Sequence, residues 1–334
     1  TMQTASKKVI NGWAMYDWAN SVYNLVITTT FFPAYYAAVT STVKFPDGIT
    51  FLGRRFVNTE LKDYVLAFGF LVIALLSPIL SSIADYKGNK KNFMRFFCYM
   101  GAASCSLMYF FDEHHVTLGL MCFMFAGIGF YGSQVFYNSY LPEIAMEEDR
   151  DRVSARGYSF GYIGSVIMQM IGFALVILMP EGELPLKLTF LLVGIWWVAF
   201  AQITFNRLPI SPKTERKSRK HALVNGFHEL QKVWHEVKIM PQLKRFLTAF
   251  FFYNMGVQTV MLVAIDFGIK ELKLENSKLI ITAVIIQLVA IAGAVGMSRI
   301  SALYGNIKVL SLTVCLWIVV CIAGYFMQTE IHFY

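Results

Sequence analysis

Apolar residues in this chain fall in long runs rather than in short alternating stripes. Windows of about 19 residues mark nine spans, at 11–40, 63–84, 93–111, 116–141, 156–180, 188–206, 246–267, 278–298 and 308–328. Runs of that length match the roughly 20 residues an α-helix needs to cross the hydrocarbon core of a bilayer. The pattern therefore predicts an all-α membrane protein. It changes character only between the sixth and seventh spans. There Leu223, Phe227, Leu230, Trp234 and Val237 recur at helical spacing among Lys, Glu and His, which predicts an amphipathic helix lying on the membrane surface over 221–240.

Composition points the same way, with 56% of residues apolar and 15% charged, where a soluble domain has nearer half and a quarter. A soluble enzyme, a disordered chain and a disulfide scaffold are thereby excluded. Cys98, Cys105, Cys122, Cys315 and Cys321 all lie in apolar stretches, where each acts as a small hydrophobe. The net charge of +8 is concentrated in 207–245, which holds ten Lys/Arg against Glu215, Glu229 and Glu236. A basic run such as Lys213 to Lys220, just after a span, is a topology signal and a contact for anionic membrane lipid; no nucleic-acid partner is expected. Sorting Lys/Arg by alternate sides puts about 21 with the N-terminus and about 8 opposite, so the N-terminus is expected in the cytoplasm. The first span is too long, and too rich in Asn, Tyr and Trp, for a cleavable signal peptide.

The chain repeats itself. Ser81-Ser82-Ile83-Ala84-Asp85-Tyr86-Lys87-Gly88-Asn89-Lys90-Lys91 follows the second span, and Ser298-Arg299-Ile300-Ser301-Ala302-Leu303-Tyr304-Gly305-Asn306-Ile307-Lys308 follows the eighth. Ser, Ile, Gly, Asn and the final Lys match at a constant offset, and Tyr16-Asp17 opens the first span as Tyr253-Asn254 opens the seventh. Two pseudo-repeated halves are implied, which is a transporter plan. The expected division is an N-terminal six-helix half over 1–208, a basic linker over 209–245, and helices seven to nine with the start of a tenth over 246–334. A matching second half would need about 90 to 110 further residues beyond Tyr334, at about 20 per span.

Polar residues inside the spans are the candidate chemistry. A mid-membrane charge costs roughly 2.5–3.5 kcal/mol, so Asp17 needs a partner or a job. Asn20, Ser21, Asn24 and Thr28 follow it on one helical face, with Asn24 near the bilayer midplane, ~10 Å deeper at 1.5 Å per residue. Asp17 is a candidate for proton coupling or gating; the alternative is a structural acid paired with a neighbouring backbone or basic group. Gln134 and Asn138 in the fourth span, Tyr158, Tyr162, Ser165 and Gln169 in the fifth, and Asn254 and Gln258 in the seventh are candidate substrate contacts along a solute path. The alternative for each row is interhelical hydrogen bonding. No Arg or Lys lies near Asn24 and Gln134 in the sequence, which disfavours strongly anionic substrates.

Ser81 to Lys91 resembles the loop signature of the major facilitator superfamily, with Ser81 in place of its first Gly. Asp85, Gly88, Lys90 and Lys91 match positions that this superfamily uses to latch its two halves. More narrowly, Asn11-Gly12-Trp13-Ala14-Met15-Tyr16-Asp17-Trp18-Ala19-Asn20-Ser21, with Tyr140-Leu141-Pro142-Glu143-Ile144 and Ala84 to Gly88, resembles one branch. Its bacterial members were called unknown major facilitators, and its fungal relatives are vacuolar amino-acid effluxers. The resemblance implies a twelve-helix major facilitator fold in a bacterial inner membrane, and export of amino acids or similar small metabolites by alternating access. Protons are the candidate coupling ion, and a monomer is expected. A lipid or lysolipid carrier, or a non-transporting receptor or scaffold of the same fold, remains the alternative.

Other signals carry less. Gly127 to Gly132 fits a dinucleotide pattern but sits within a span with no preceding strand. Gly157, Gly161 and Gly164 are expected to let the fifth helix approach a neighbour. Asp266 and Lys270 suggest an ion pair, Asp112-Glu113-His114-His115 a solvated hairpin, and His221, His228 and His235 solvated imidazoles rather than metal ligands. No His-Glu-x-x-His, Gly-x-Ser-x-Gly or phosphate-binding loop occurs, so no enzyme activity, metal or cofactor is expected.

Overall fold

A computed structural model of the chain describes residues 4–179, 182–210, 231–232, 234–270 and 276–327. The side chains of 82, 85–87, 262–263, 265–266, 269–270, 276–281 and 283 lie outside that description. The Asp85 side chain, the Asp266–Lys270 pair, the basic run 213–220, His221, His228 and the first half of the surface helix therefore lie outside the described residues. Residues 234–239 of that helix are helical, with Lys238 Nζ 5.5 Å from the Trp234 ring centroid.

Each predicted span overlaps a helical stretch. In the first unit, α1 (Lys7–Val22) runs through a π-helical segment (Tyr23–Phe31) into α2 (Phe32–Val39). A two-stranded hairpin follows, β1 (Ile49–Phe51) pairing antiparallel with β2 (Arg54–Phe56). Then come α3 (Asn58–Lys87), α4 (Lys90–Leu107), α5 (Val116–Ser139), the one-turn α6 (Leu141–Ile144), α7 (Glu147–Leu178) and α8 (Leu184–Arg207). The second unit holds α9 (Pro241–Lys270), α10 (Asn276–Tyr304) and α11 (Asn306–Tyr325). Among the described residues, six helices are long and apolar enough to cross a membrane. α1, 16 residues long before the π-helical segment, and α4, with Lys90, Lys91 and Arg95, fall below that measure. The hairpin went unread in an otherwise all-α pattern because three-residue strands offer too little alternation to register.

Within the first unit α1 lies between α7 and α8, and α4 between α5 and α8, with α3 on the far side of α5. Aromatic side chains fill the centre. Trp13, Tyr16, Tyr23, Phe32, Tyr137 and Trp197 are fully or almost fully buried, and Phe32 stacks on Phe123 with centroids 3.8 Å apart. Such bulk needs small residues at the crossings. A Cβ on Gly161 would lie 2.5 Å from Ser21 Oγ, and one on Gly164 2.8 Å from the Trp18 carbonyl oxygen, so the glycines of α7 do admit the close approach to α1 that their spacing predicts.

The repeated loops share one backbone device. Gly88, between α3 and α4, has φ +60°, and Gly305, between α10 and α11, has φ +86°, a region where a side chain is strained. A Cβ on Gly305 would meet nothing within 4 Å, so the conformation alone fixes its cost. With ψ 149° as well, Gly305 sits in a region open essentially to Gly alone, so Gly305→Ala and Gly305→Asn are both expected to destabilise by about 1–3 kcal/mol, read as melting temperatures in detergent; equal melting of either variant and wild type would contradict it.

At the end of the first unit opposite the chain's N-terminus, Lys44 Nζ lies 2.8 Å from Glu113 Oε2 and 4.0 Å from Glu183 Oε1, and Lys187 Nζ lies 3.0 Å from Glu183 Oε2. The Tyr35 hydroxyl donates to the Phe111 carbonyl (2.6 Å) and to Glu183 Oε2 (2.8 Å). The expected hairpin at Asp112 is present, with Asp112 Oδ1 accepting the backbone N–H groups of His114 and His115. The hydrogen bond from Lys44 holds the Glu113 carboxyl below its ordinary range. A carboxyl lowered by folding contributes stability above its unfolded value and loses it as pH falls through the folded one. The difference in melting temperature between wild type and Lys44→Gln should thus be present at pH 7 and shrink as pH falls below the ordinary carboxylate range; a difference unchanged by acidification would contradict the pairing.

Candidate functional site

The site is built around Asp17. Its side chain is 6% exposed, sealed between α1, α5 and α7. From α5 the Tyr137 hydroxyl donates to Oδ2 at 2.8 Å, and Gln134 Nε2 donates to Oδ1 at 3.4 Å. α7 closes the third side, where a Cβ on Gly157 would lie 2.7 Å from Asp17 Oδ2, 2.9 Å from Trp13 and 2.9 Å from the Tyr137 hydroxyl. Trp13 fixes the phenol in turn. Its ring stacks on Tyr137 with centroids 4.3 Å apart, and its indole N–H donates to the Tyr137 carbonyl at 3.0 Å. Among the described residues no cation pairs with Asp17. A hydrogen bond to a charged group contributes roughly 1.5–3 kcal/mol, so these two donors offset an insertion cost of about 2.5–3.5 kcal/mol. On α7, Tyr158 is exposed and Tyr162 half-buried.

Below Asp17 the helix changes its winding. The π-helical segment over Tyr23–Phe31 bonds i to i+5, and such segments are frequent at functional sites. The Thr30 hydroxyl donates to the Leu25 carbonyl five residues back at 3.1 Å, and Thr29 donates to the same carbonyl at 2.7 Å. Gln169 of α7 ties the segment down, its Nε2 donating to Thr30 Oγ1 at 3.3 Å. Asn24, the second residue of this segment, is half-buried, while Asn20, Thr28 and Gln169 are buried. Both amide atoms of Asn20 and the Thr28 hydroxyl are enclosed without a hydrogen-bond partner.

The structure thus gathers part of the predicted set. Asp17 and Gln134 are in contact, and Asn24, Tyr158 and Tyr162 are partly open. Asn138 is exposed and takes no part in the clasp; its neighbour Tyr137 does that work. Asn254 and Gln258 are exposed residues of α9 in the second unit. Tyr137 and the π-helical turn were missed by the sequence reading. Tyr137 lay three residues after Gln134, the spacing of one helical face, but a phenol in an aromatic run reads as core.

The candidate latch is also a place of convergence. Lys90 Nζ lies 2.7 Å from Glu143 Oε1 of α6, so the loop signature and the Tyr140–Ile144 signature meet. Lys91 Nζ donates to the Leu208 carbonyl at the end of α8, and the Tyr140 hydroxyl reaches the Pro209 carbonyl at 3.5 Å. The Ala5 N–H donates to the Ile144 carbonyl at 2.8 Å. Gly88 makes the turn that presents both lysines.

Comparison with known proteins agrees with this architecture. A family model described as "Vacuole effluxer Atg22 like" matches residues 5–150 and 144–331. The chain is 32% identical over 332 residues to YxiO of Bacillus subtilis, an uncharacterised MFS-type transporter, covering 97% of this chain and 74% of that protein. Autophagy-related protein 22-2 of Neosartorya fischeri is 23% identical over 325 residues, covering 74% of this chain and 53% of that protein. Autophagy-related protein 22-1 of Aspergillus terreus is 25% identical over 307 residues, covering 68% and 50%. The chain thus spans about three quarters of the bacterial relative and about half of these fungal ones. With helices of spanning length, the loop signature and a family match along nearly its whole length, the chain belongs to the Atg22-like effluxer family of the major facilitator superfamily, as an integral multi-pass membrane protein.

Proposed function

We propose that this protein is a secondary active transporter that exports a small solute, an amino acid or similar metabolite, by alternating access, with Asp17 as the proton-coupling residue. One observation carries the reading: Asp17 is buried in α1, and among the described residues the donors to its carboxylate are neutral, Tyr137 and Gln134. Neutral partners let a carboxyl gain and lose its proton without leaving a bare cation behind, which a fixed Asp–Arg pair would not. Gln134 beside it, Tyr158 and Tyr162 on α7 and Asn24 farther along the first span offer hydroxyl and amide groups suited to a neutral or zwitterionic solute. The names of the relatives, a vacuole effluxer and an MFS-type transporter, support transport as the activity.

In this reading the membrane is the bacterial inner membrane with the N-terminus in the cytoplasm, and Asp85, Gly88, Lys90 and Lys91 form the cytoplasmic gate. The test is counterflow of a labelled amino-acid panel in proteoliposomes. Uptake of at least one amino acid above protein-free vesicles is expected. Movement of labelled lysolipid but of no amino acid would replace this reading with that of a lipid carrier, and movement of neither would leave a receptor or scaffold.

A further inference from the structure

Where α4 starts and α8 stops, cations outnumber acids among the described residues. Lys91 and Arg95 stand one helical turn apart on α4, and Arg207 ends α8. Lys90 is committed to Glu143, but among the described residues no ion pair joins Lys91, Arg95 or Arg207 to a carboxylate. Other contacts hold them. Lys91 donates to the Leu208 carbonyl. The Arg95 guanidinium lies over the Phe205 ring, 5.2 Å from its centroid, with Nε enclosed and lacking a hydrogen-bond partner. A Cβ on Gly12 would lie 2.5 Å from Arg207 Cβ, so Gly12 makes room for that stem. Burial, and then the charge of Arg95, push the Lys91 ammonium below its usual value, as expected for neighbouring cations in a partly dry place.

The same face of α4 continues into the membrane. Tyr99 stands one further turn along, ~12 Å from Lys91 at 1.5 Å per residue, and its hydroxyl bonds to Gln202 Oε1 of α8 at 3.2 Å. Phe96 beside it is 60% exposed and Tyr99 42%. The seam between α4 and α8 therefore presents two cations, then a phenol–amide pair, then apolar surface, in the order in which a phospholipid presents phosphate, esters and acyl chains.

We propose that the α4–α8 seam binds an anionic phospholipid, with Lys91 and Arg95 on its phosphate and Tyr99 and Gln202 at its ester region. Basic pockets between spanning helices are a recurrent headgroup site. This one is set in side chains of two helices, whereas the basic sequence of 213–220 can hold lipid by charge alone.

The experiment measures thermal stability of the full chain in phosphatidylcholine nanodiscs titrated with phosphatidylglycerol of the same acyl chains, with inorganic phosphate as a parallel arm. Phosphatidylglycerol should raise the melting temperature, and Lys91→Gln/Arg95→Gln should weaken its apparent affinity roughly tenfold or more. Lys213→Gln/Lys217→Gln should keep most of the effect. If the double variant melts below wild type in pure phosphatidylcholine, Arg95→Gln alone is read in its place. A lipid response unchanged in the seam variants, or lost in the linker variants, would overturn the proposal, as would inorganic phosphate reproducing the whole response.

Discussion

Asp17→Asn is expected to bring proton-driven accumulation of substrate to nothing, with the internal-to-external ratio falling to unity, while exchange of substrate across the membrane continues. The expectation follows from the clasp. Asn has the shape of the protonated acid, and its amide oxygen can still accept from Tyr137, so α1, α5 and α7 should hold together. What it cannot do is change charge, and a carrier locked in one protonation state can shuttle substrate without coupling it to a gradient. Both activities need measuring in the same vesicles, with melting temperature as the control for folding. Equal loss of accumulation and exchange in a well-folded variant would make Asp17 a substrate contact. Full retention of both would make it a structural acid.

The second large effect concerns the crossing of α4 and α5. A Cβ added to Gly129 would lie 2.5 Å from Gly101 Cα, 2.6 Å from Gly101 N and 2.7 Å from the Phe97 carbonyl oxygen. All three are backbone atoms, which cannot turn aside as a flexible side chain can. Gly129→Ala must therefore push the helices apart, and Trp197, which already lies against Gly101, leaves no slack on the other side. Overpacking costs about 1–3 kcal/mol and occasionally more; this variant belongs at or above the top of that range, with a sharp fall in melting temperature or in folded yield. A melting temperature equal to wild type would mean that the crossing is looser than described.

The parts of the structure legible in the sequence are those set by burial in lipid and by single residues. Spanning helices follow from apolar runs, since backbone groups in hydrocarbon must bond internally. The close approach of α7 to α1 was readable from Gly157, Gly161 and Gly164, and the kinship of the two loops from Gly88 and Gly305, which share a left-handed backbone. What escaped depends on neighbours. The stripe Asp17, Asn20, Asn24, Thr28 assumed 3.6 residues per turn throughout, but the π-helical turn after Val22 changes the winding, so Thr28 leaves that register and ends enclosed. Asn20 was read as facing an open path; in the folded half it is buried, on a helix packed chiefly between α7 and α8. Whether a polar face is open or sealed is decided by the helix opposite, and the sequence of one helix does not carry that. Glu143 was recognised as part of a signature, but its pairing with Lys90 required the three-dimensional turn at α6.

The central claim is that substrate movement and proton movement are linked through Asp17, and the direct measurement is proton flux evoked by substrate. Proteoliposomes holding a pH-sensitive dye and no imposed pH gradient are given an inward gradient of an amino acid that passes the counterflow assay. The account predicts a substrate-dependent change of internal pH in wild type that is absent in Asp17→Asn, while labelled substrate still exchanges in both. Solute movement in wild type with no accompanying proton flux across pH 5 to 8, or an undiminished flux in Asp17→Asn, would contradict it.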